Sequence, residues 1–161
     1  MRSCIIYHSY TGITRSIAEI IQASCGGDLI EVKPRQKYTT LTAYTAGCLR
    51  ARNEERDPVD PEIIDVSSCD LLVIGTPVWV WKPTPATNAG IAALKGCEGK
   101  QAIIFATCGG QPGETLSIMK SALEAKGVKV VREFTFTKRE IKEPDKISNL
   151  VNAVKNAGNG D

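Results

Sequence analysis

A group of hydroxyl-bearing side chains follows the first apolar run of the chain, in "HSYTGIT" (8–14). Ser9, Thr11 and Thr14 can each donate a hydroxyl hydrogen bond. Gly12 lets the backbone approach a ligand closely, and no lysine or arginine lies between positions 9 and 14. The preceding "CIIY" reads as a buried strand and the following "RSIAEIIQA" as a helix, whose N-terminus offers unpaired amides. The stretch therefore predicts a phosphate monoester site built from neutral donors. A capped helix start with nothing bound is the alternative.

Both tryptophans of the chain lie in a single proline-rich stretch, "GTPVWVWKPTPA" (75–86), directly after an apolar run. Ligands of parallel α/β sheets bind at the carboxyl ends of the strands, where this stretch would lie. Trp79 and Trp81 could form a stacking platform for a planar ring, and Trp79 is the stronger candidate because it is nearer the strand end. Alternatively, one or both indoles pack against the next helix.

A third stretch, "ATCGGQPGET" (106–115), is rich in glycine and follows another apolar run. Its glycines allow unusual backbone angles and exposed amides. Such a loop can hydrogen-bond the polar edge of a heterocycle, although an ordinary strand-to-helix turn explains the composition equally well.

The elements that must position these stretches alternate along the chain. Apolar strands are predicted at 3–8, 29–33, 70–76, 101–107 and 128–136, and helices at 14–25, 84–95, 114–126 and 144–157. Continuous apolar strands indicate burial on both faces, which is typical of a parallel sheet. The pattern predicts one three-layer α/β domain over residues 1–161. Residues 34–68 interrupt it with a short helix, "TLTAYTAGCLRAR", and a turn-rich stretch.

Composition narrows the possible functions. The formal net charge of +2 requires no nucleic acid partner, and no apolar stretch approaches the ~20 residues of a membrane span. The first residues read as mature protein rather than a signal peptide. The six cysteines form no C-x-x-C pair, so we expect free thiols in a reducing cytoplasm rather than a disulfide framework. The P-loop and G-x-G-x-x-G patterns are also missing.

Taken together, the three stretches resemble the flavodoxin family, and "SYTGIT" matches that family's phosphate-loop pattern [ST]-x-T-G-x-T. The resemblance implies a doubly wound, five-stranded parallel sheet of order 2-1-3-4-5, of the short-chain type, with FMN at its carboxyl edge. By resemblance, the phosphate is held by Ser9, Tyr10, Thr11, Gly12, Ile13 and Thr14. One side of the flavin ring would meet Thr76, Pro77, Val78, Trp79 and Trp81, and its other side and pyrimidine edge Thr107, Cys108, Gly109, Gly110 and Gly113. Many relatives place a second aromatic in the last loop, where this chain has Cys108.

The resemblance implies a soluble, low-potential electron carrier between redox partner proteins. A flavin-dependent NAD(P)H reductase of quinones or other small acceptors is the alternative, and a flavin-free assembly module is a third. No catalytic side chain is required for the carrier. His8, the only histidine, is expected to be structural, and a nucleophilic pair with Cys108 is disfavoured because their strands would not be adjacent.

Residues 33–56 are rich in positive charge, with six basic side chains against Glu54 and Glu55. This basic patch could steer an acidic redox partner, or it could be a merely solvated helix face. Its basic members are Lys33, Arg35, Lys37, Arg50, Arg52 and Arg56.

Overall fold

The protein is described by a computed structural model that covers residues 1–157. Its centre is a parallel sheet in the spatial order β5-β4-β3-β1-β2, which confirms the predicted order 2-1-3-4-5. The strands are β1 (Ser3–Tyr7), β2 (Asp28–Glu31), β3 (Leu71–Trp79), β4 (Gln101–Cys108) and β5 (Lys129–Thr137). Every residue of β1 is buried, as its continuous apolar sequence predicts.

Helices cover both faces of this sheet and form the outer two layers. They are α1 (Ile13–Cys25), α2 (Pro85–Ala92), α3 (Thr115–Glu124) and α4 (Pro144–Ala157). Ile17 of α1 and Leu150 of α4 pack in one apolar core, and Ile91 of α2 and Met119 of α3 pack in the other. Because strand side chains alternate, Ile5 joins the first core while its neighbours in β1 join the second. The α/β prediction is therefore confirmed in its three layers.

Two predicted boundaries differ from the structure by three residues, and the others by at most two. The helix predicted at 84–95 ends at Ala92, because Leu94–Lys95 pairs in parallel with Ile64–Asp65 as a short separate ladder. Strand β3 continues to Trp79 instead of ending at 76, and then folds back so that Lys82–Pro83 pairs with its last residues. The first tryptophan thus belongs to a strand and not to a loop.

The interruption between β2 and β3 contains a helical segment, residues 40–52, at the carboxyl edge of the sheet. It consists of Thr40–Thr42, a π-helical turn at Ala43–Gly47, and Cys48–Arg52. The side chain of Thr39 accepts a hydrogen bond from the Thr42 amide and so caps the start of this segment. The predicted short helix is present. None of the helices in residues 1–157 is long and apolar enough to cross a bilayer.

Candidate functional site

The three stretches singled out from the sequence meet at the carboxyl edge of the sheet, around a cavity of about 310 Å³. They share this edge because the strands that precede them are parallel. Nine predicted site residues line the cavity: Tyr10, Thr11, Ile13, Pro77, Val78, Trp79, Thr107, Cys108 and Gly109.

We call the loop before α1, residues 8–12, the anion loop, after the phosphate site that the sequence predicts there. Gly12 adopts a left-handed conformation with φ of 94°, which a residue with a side chain rarely takes. The hydroxyl of Ser9 accepts hydrogen bonds from the amides of Gly12 (3.1 Å) and Arg15 (3.3 Å). The amides of Ile13 and Thr14 have no acceptor within residues 1–157. Both N–H groups lie at the positive end of the helix dipole, and Ile13 lines the cavity.

Thr14 connects this loop to the stretch after β4. It is 1% exposed, and its hydroxyl oxygen lies 2.8 Å from that of Thr107. The bond fixes the two loops relative to each other on either side of the end of β3.

The indole of Trp79 forms one wall of the cavity and is held by perpendicular aromatic neighbours. Its ring centroid lies 5.5 Å from that of Tyr10 and 5.3 Å from that of Tyr38. The hydroxyl of Tyr38 donates to the buried carboxylate of Asp57 (2.8 Å), which also pairs with Arg50 (2.6 Å). Burial, followed by the bond to Asp57, raises the pKa of Tyr38 to about 12, so this phenol stays a neutral donor.

Seven of the predicted residues do not line the cavity. Ser9, Gly12 and Thr14 shape the loop before α1, as described above. Thr76 is fully buried, and its hydroxyl lies 2.8 Å from that of Thr87 in α2. The Gly110 backbone lowers the pKa of the Cys108 thiol, against the larger opposing effect of burial.

Trp81 and Gly113 form a junction behind the cavity instead of a wall. The indole of Trp81 is 61% exposed, and its carbonyl accepts from the Glu114 amide (2.9 Å). Gly113 packs so closely that a Cβ there would lie 2.8 Å from the carbonyl oxygen of Trp81. Trp81 therefore connects the two loops through its backbone.

Six cavity residues were not predicted from the sequence. Ala43, Tyr44 and Cys48 come from the helical segment 40–52, and Val80, Lys138 and Ile141 come from the turns after β3 and β5. Tyr44 and Cys48 are four residues apart and share a helix face. This spacing predicts that both line the cavity if the segment 40–52 lies beside it. Lys138 and Ile141 lie at the cavity because β5 is parallel to the other strands and therefore ends at the same edge of the sheet.

The pKa shifts near the cavity disfavour charge on the His8 imidazole and on the Cys48 and Cys108 thiols. Burial lowers the pKa of His8, whose Nδ1–H donates to the Val32 carbonyl (2.9 Å). Burial also raises the pKa of the Cys108 and Cys48 thiols. Within residues 1–157 no hydrogen bond joins His8 to Cys108. Lys138 brings a cationic side chain to the cavity.

The sheet order, the anion loop and the aromatic wall define a flavodoxin-like fold with a cavity at its carboxyl edge. The sequence profile of the flavodoxin family matches residues 2–133. The chain belongs to the flavodoxin family. No curated protein matches it.

Solved structures with this fold include proteins of different function. A flavoprotein from Lactobacillus acidophilus in complex with FMN is 22% identical, with a TM-score of 0.71 over 91% of this chain and 98% of that one. The two-electron reduced flavodoxin of Megasphaera elsdenii is 19% identical, with a TM-score of 0.62 over 96% and 98%. An apo NADH:FMN oxidoreductase is also 19% identical, with a TM-score of 0.64 over 97% and 88%. At these identities the likeness shows the fold alone.

Proposed function

We propose that the chain binds FMN and transfers electrons between redox partner proteins. The observation that carries this proposal is the unpartnered amide of Ile13 at the start of α1, a residue that lines a cavity walled by an indole. When bound, FMN supplies the redox chemistry, which the protein tunes.

The donor set fits a phosphate monoester. Amides at a helix N-terminus bind anions well, and the loop adds the hydroxyl of Thr11 at the cavity. The ribityl phosphate would be held by this loop, with Ser9 and Thr14 keeping the loop in shape through the hydrogen bonds already described. A cavity of about 310 Å³ lies near the lower end of the roughly 300–1,000 Å³ usual for small-molecule sites, as expected for an open cleft.

The flavin ring would contact two aromatic side chains from different elements. Trp79 offers a fixed wall because Tyr10 and Tyr38 hold its indole. Tyr44 lines the same cavity from the segment 40–52, and its side chain is 76% exposed. We assign Tyr44 to the outer side of the ring, in the role that the loop after β4 cannot fill because it has no aromatic. Cys108 and Gly109 would border the remaining edge.

A reductase remains the second candidate, because the fold is similar to that of an NADH:FMN oxidoreductase with a TM-score of 0.64. The carrier is favoured because Tyr44, which we assign to the outer side of the ring, would cover the face on which a nicotinamide ring would need to stack. The free thiols of all six cysteines favour a reducing compartment such as the cytoplasm.

We propose that the basic patch attracts an acidic redox partner, but through only three of its six cations. Three of its six cations are already engaged, since Lys33 pairs with Glu31, Arg35 with Glu62, and Arg50 with both Glu55 and Asp57. The remaining cations, for which residues 1–157 provide no ion pair, are Lys37, Arg52 and Arg56.

The test is reconstitution of the purified protein with FMN and, in parallel, with riboflavin. We expect a yellow complex with FMN and far weaker binding of riboflavin, which lacks the phosphate. In a potentiometric titration the carrier should be reduced in two separated one-electron steps and react slowly with NADH or NADPH. Rapid bleaching by a nicotinamide cofactor alone would support the reductase. A preparation that stays colourless in excess FMN would refute both.

A further inference from the structure

Two buried cysteines and a carboxylate come together at the amino edge of the sheet, opposite the proposed cofactor site. Cys4 of β1 is directly paired with Asp28 of β2, so both side chains lie on the same face of the sheet. Cys69 precedes β3, the neighbour of β1 on its other side. The two sulfurs and a carboxylate oxygen all lie within 4.8 Å of one another.

We propose that Cys4, Cys69 and Asp28 form a binding site for a soft divalent metal ion such as Zn²⁺ or Cd²⁺. Thiolates and carboxylates are common zinc ligands, with Zn–S distances of about 2.3 Å and Zn–O distances of about 2.1 Å. Two sulfurs bound tetrahedrally at these lengths are roughly 3.7 Å apart. The observed separations therefore need a closure of about 1 Å at most, within the range of side-chain rotation.

The two cysteine ligands are buried, whereas the carboxylate ligand reaches solvent. Cys4 and Cys69 are 1% and 2% exposed, so their sulfurs would bind the ion away from water. The side chain of Asp28 is 47% exposed and opens the site to solvent, which gives the ion a path in and leaves room for a water ligand.

Arg2 supplies the outer contact that orients the carboxylate. Its Nε and Nη2 donate to the same Asp28 oxygen, at 3.1 and 2.8 Å, and leave the other oxygen for the ion. Binding would release one proton from each thiol. Two thiolates and one carboxylate then balance the divalent ion together with the guanidinium, so no net charge is buried.

The first test titrates the reduced protein with Zn²⁺ in competition with a chromophoric chelator. We expect one ion per chain, loss of this binding in Cys4→Ala and in Cys69→Ala, and roughly tenfold weaker binding in Asp28→Asn, the scale expected for a disturbed ligand shell. Cys97→Ala is the matched control, because Cys97 is fully buried in the same core but lies outside the cluster. It should bind as the unaltered protein does.

If the cysteine variants fail to fold, as judged by far-UV circular dichroism, a second measurement on the unaltered protein tests the proposal. Because both thiols are buried in the folded protein, alkylation is carried out in urea just below the unfolding transition. There, one equivalent of Cd²⁺ should protect two thiols that react without it, and peptide mapping should identify them as Cys4 and Cys69. The cadmium-113 chemical shift should indicate two sulfur ligands. The proposal is overturned if the unaltered protein shows no such ion or protection, or if binding survives both cysteine substitutions. None of these readouts depends on FMN.

Discussion

The hydroxyls of Thr14 and Thr107 form a 2.8 Å hydrogen bond, although β3 separates the strands that precede them. Both residues are buried, and within residues 1–157 neither hydroxyl has another hydrogen-bond partner. The bond connects the anion loop with the loop that would border the flavin.

Thr14→Val should destabilise the protein by about 1–3 kcal/mol, because the hydroxyl of Thr107 is left buried without a partner. The double variant Thr14→Val/Thr107→Val should lose less than the sum of the two single variants. Urea unfolding of the four proteins measures this coupling free energy. Strict additivity would show that the bond contributes nothing.

Gly47→Ala should destabilise the protein by about 1–3 kcal/mol through overpacking. A Cβ at this buried position would lie 2.8 Å from Cζ3 of Trp79 and 3.0 Å from Cε1 of Tyr38. We expect a changed near-UV circular dichroism signal as the indole shifts, together with weaker FMN binding. Gly110→Ala is the control, since its added methyl meets nothing within 4 Å, and it should unfold at the same urea concentration as the unaltered protein.

His8 should make the protein acid-sensitive. Its pKa is lowered in the folded state by burial, so the unfolded chain binds the proton more readily. The folded state keeps its full stability above the ordinary histidine pKa of about 6.5 and loses stability as the pH falls below it. His8→Asn can keep a donor to the Val32 carbonyl without titrating. Melting temperatures compared at about pH 8 and about pH 5.5 should fall less in this variant than in the unaltered protein; an equal fall would assign the acid sensitivity to other groups.

Tyr44→Ala should weaken FMN binding several-fold and change the reduction potential, because it removes the aromatic assigned to the outer side of the ring. Leu41→Ala is a matched control on the same segment, since Leu41 is 73% exposed and does not line the cavity. Flavin fluorescence measures the affinity. Equal affinities in the two variants would exclude Tyr44 from the ring site.

Charge steering should depend on Lys37, Arg52 and Arg56. Converting these three to glutamine should flatten the fall of electron-transfer rate with salt, measured with an acidic redox protein in stopped flow. The double variant Arg35→Gln/Glu62→Gln should leave the salt dependence unchanged, because these two side chains already neutralise each other. Equal slopes in the triple variant and the unaltered protein would eliminate the patch as a docking surface.

Much of this arrangement was readable from residue types. The apolar runs predicted the strands and their parallel direction, and the resemblance to the flavodoxin family supplied their order. The hydroxyl-rich stretch after β1 does form the loop that precedes α1. The contribution of Tyr44 was not readable, because the path of residues 34–68 depends on tertiary packing of Gly47 against Trp79 and Tyr38. The sequence also does not predict that Trp81 lies in an exposed turn. Val80 and Trp81 both take positive φ angles there, which their residue types disfavour.

The helical segment 40–52 gives the cavity one wall and also bears the outward-facing side chains of Leu41, Tyr44 and Leu49. A protein approaching the flavin from that side would touch this insertion before it touched the anion loop. The segment 40–52 would therefore serve partner recognition as well as one side of the flavin ring, whereas the phosphate would be held by the loop before α1. Substitutions at Leu41 or Leu49 would then change which proteins dock without touching the cavity or the phosphate loop.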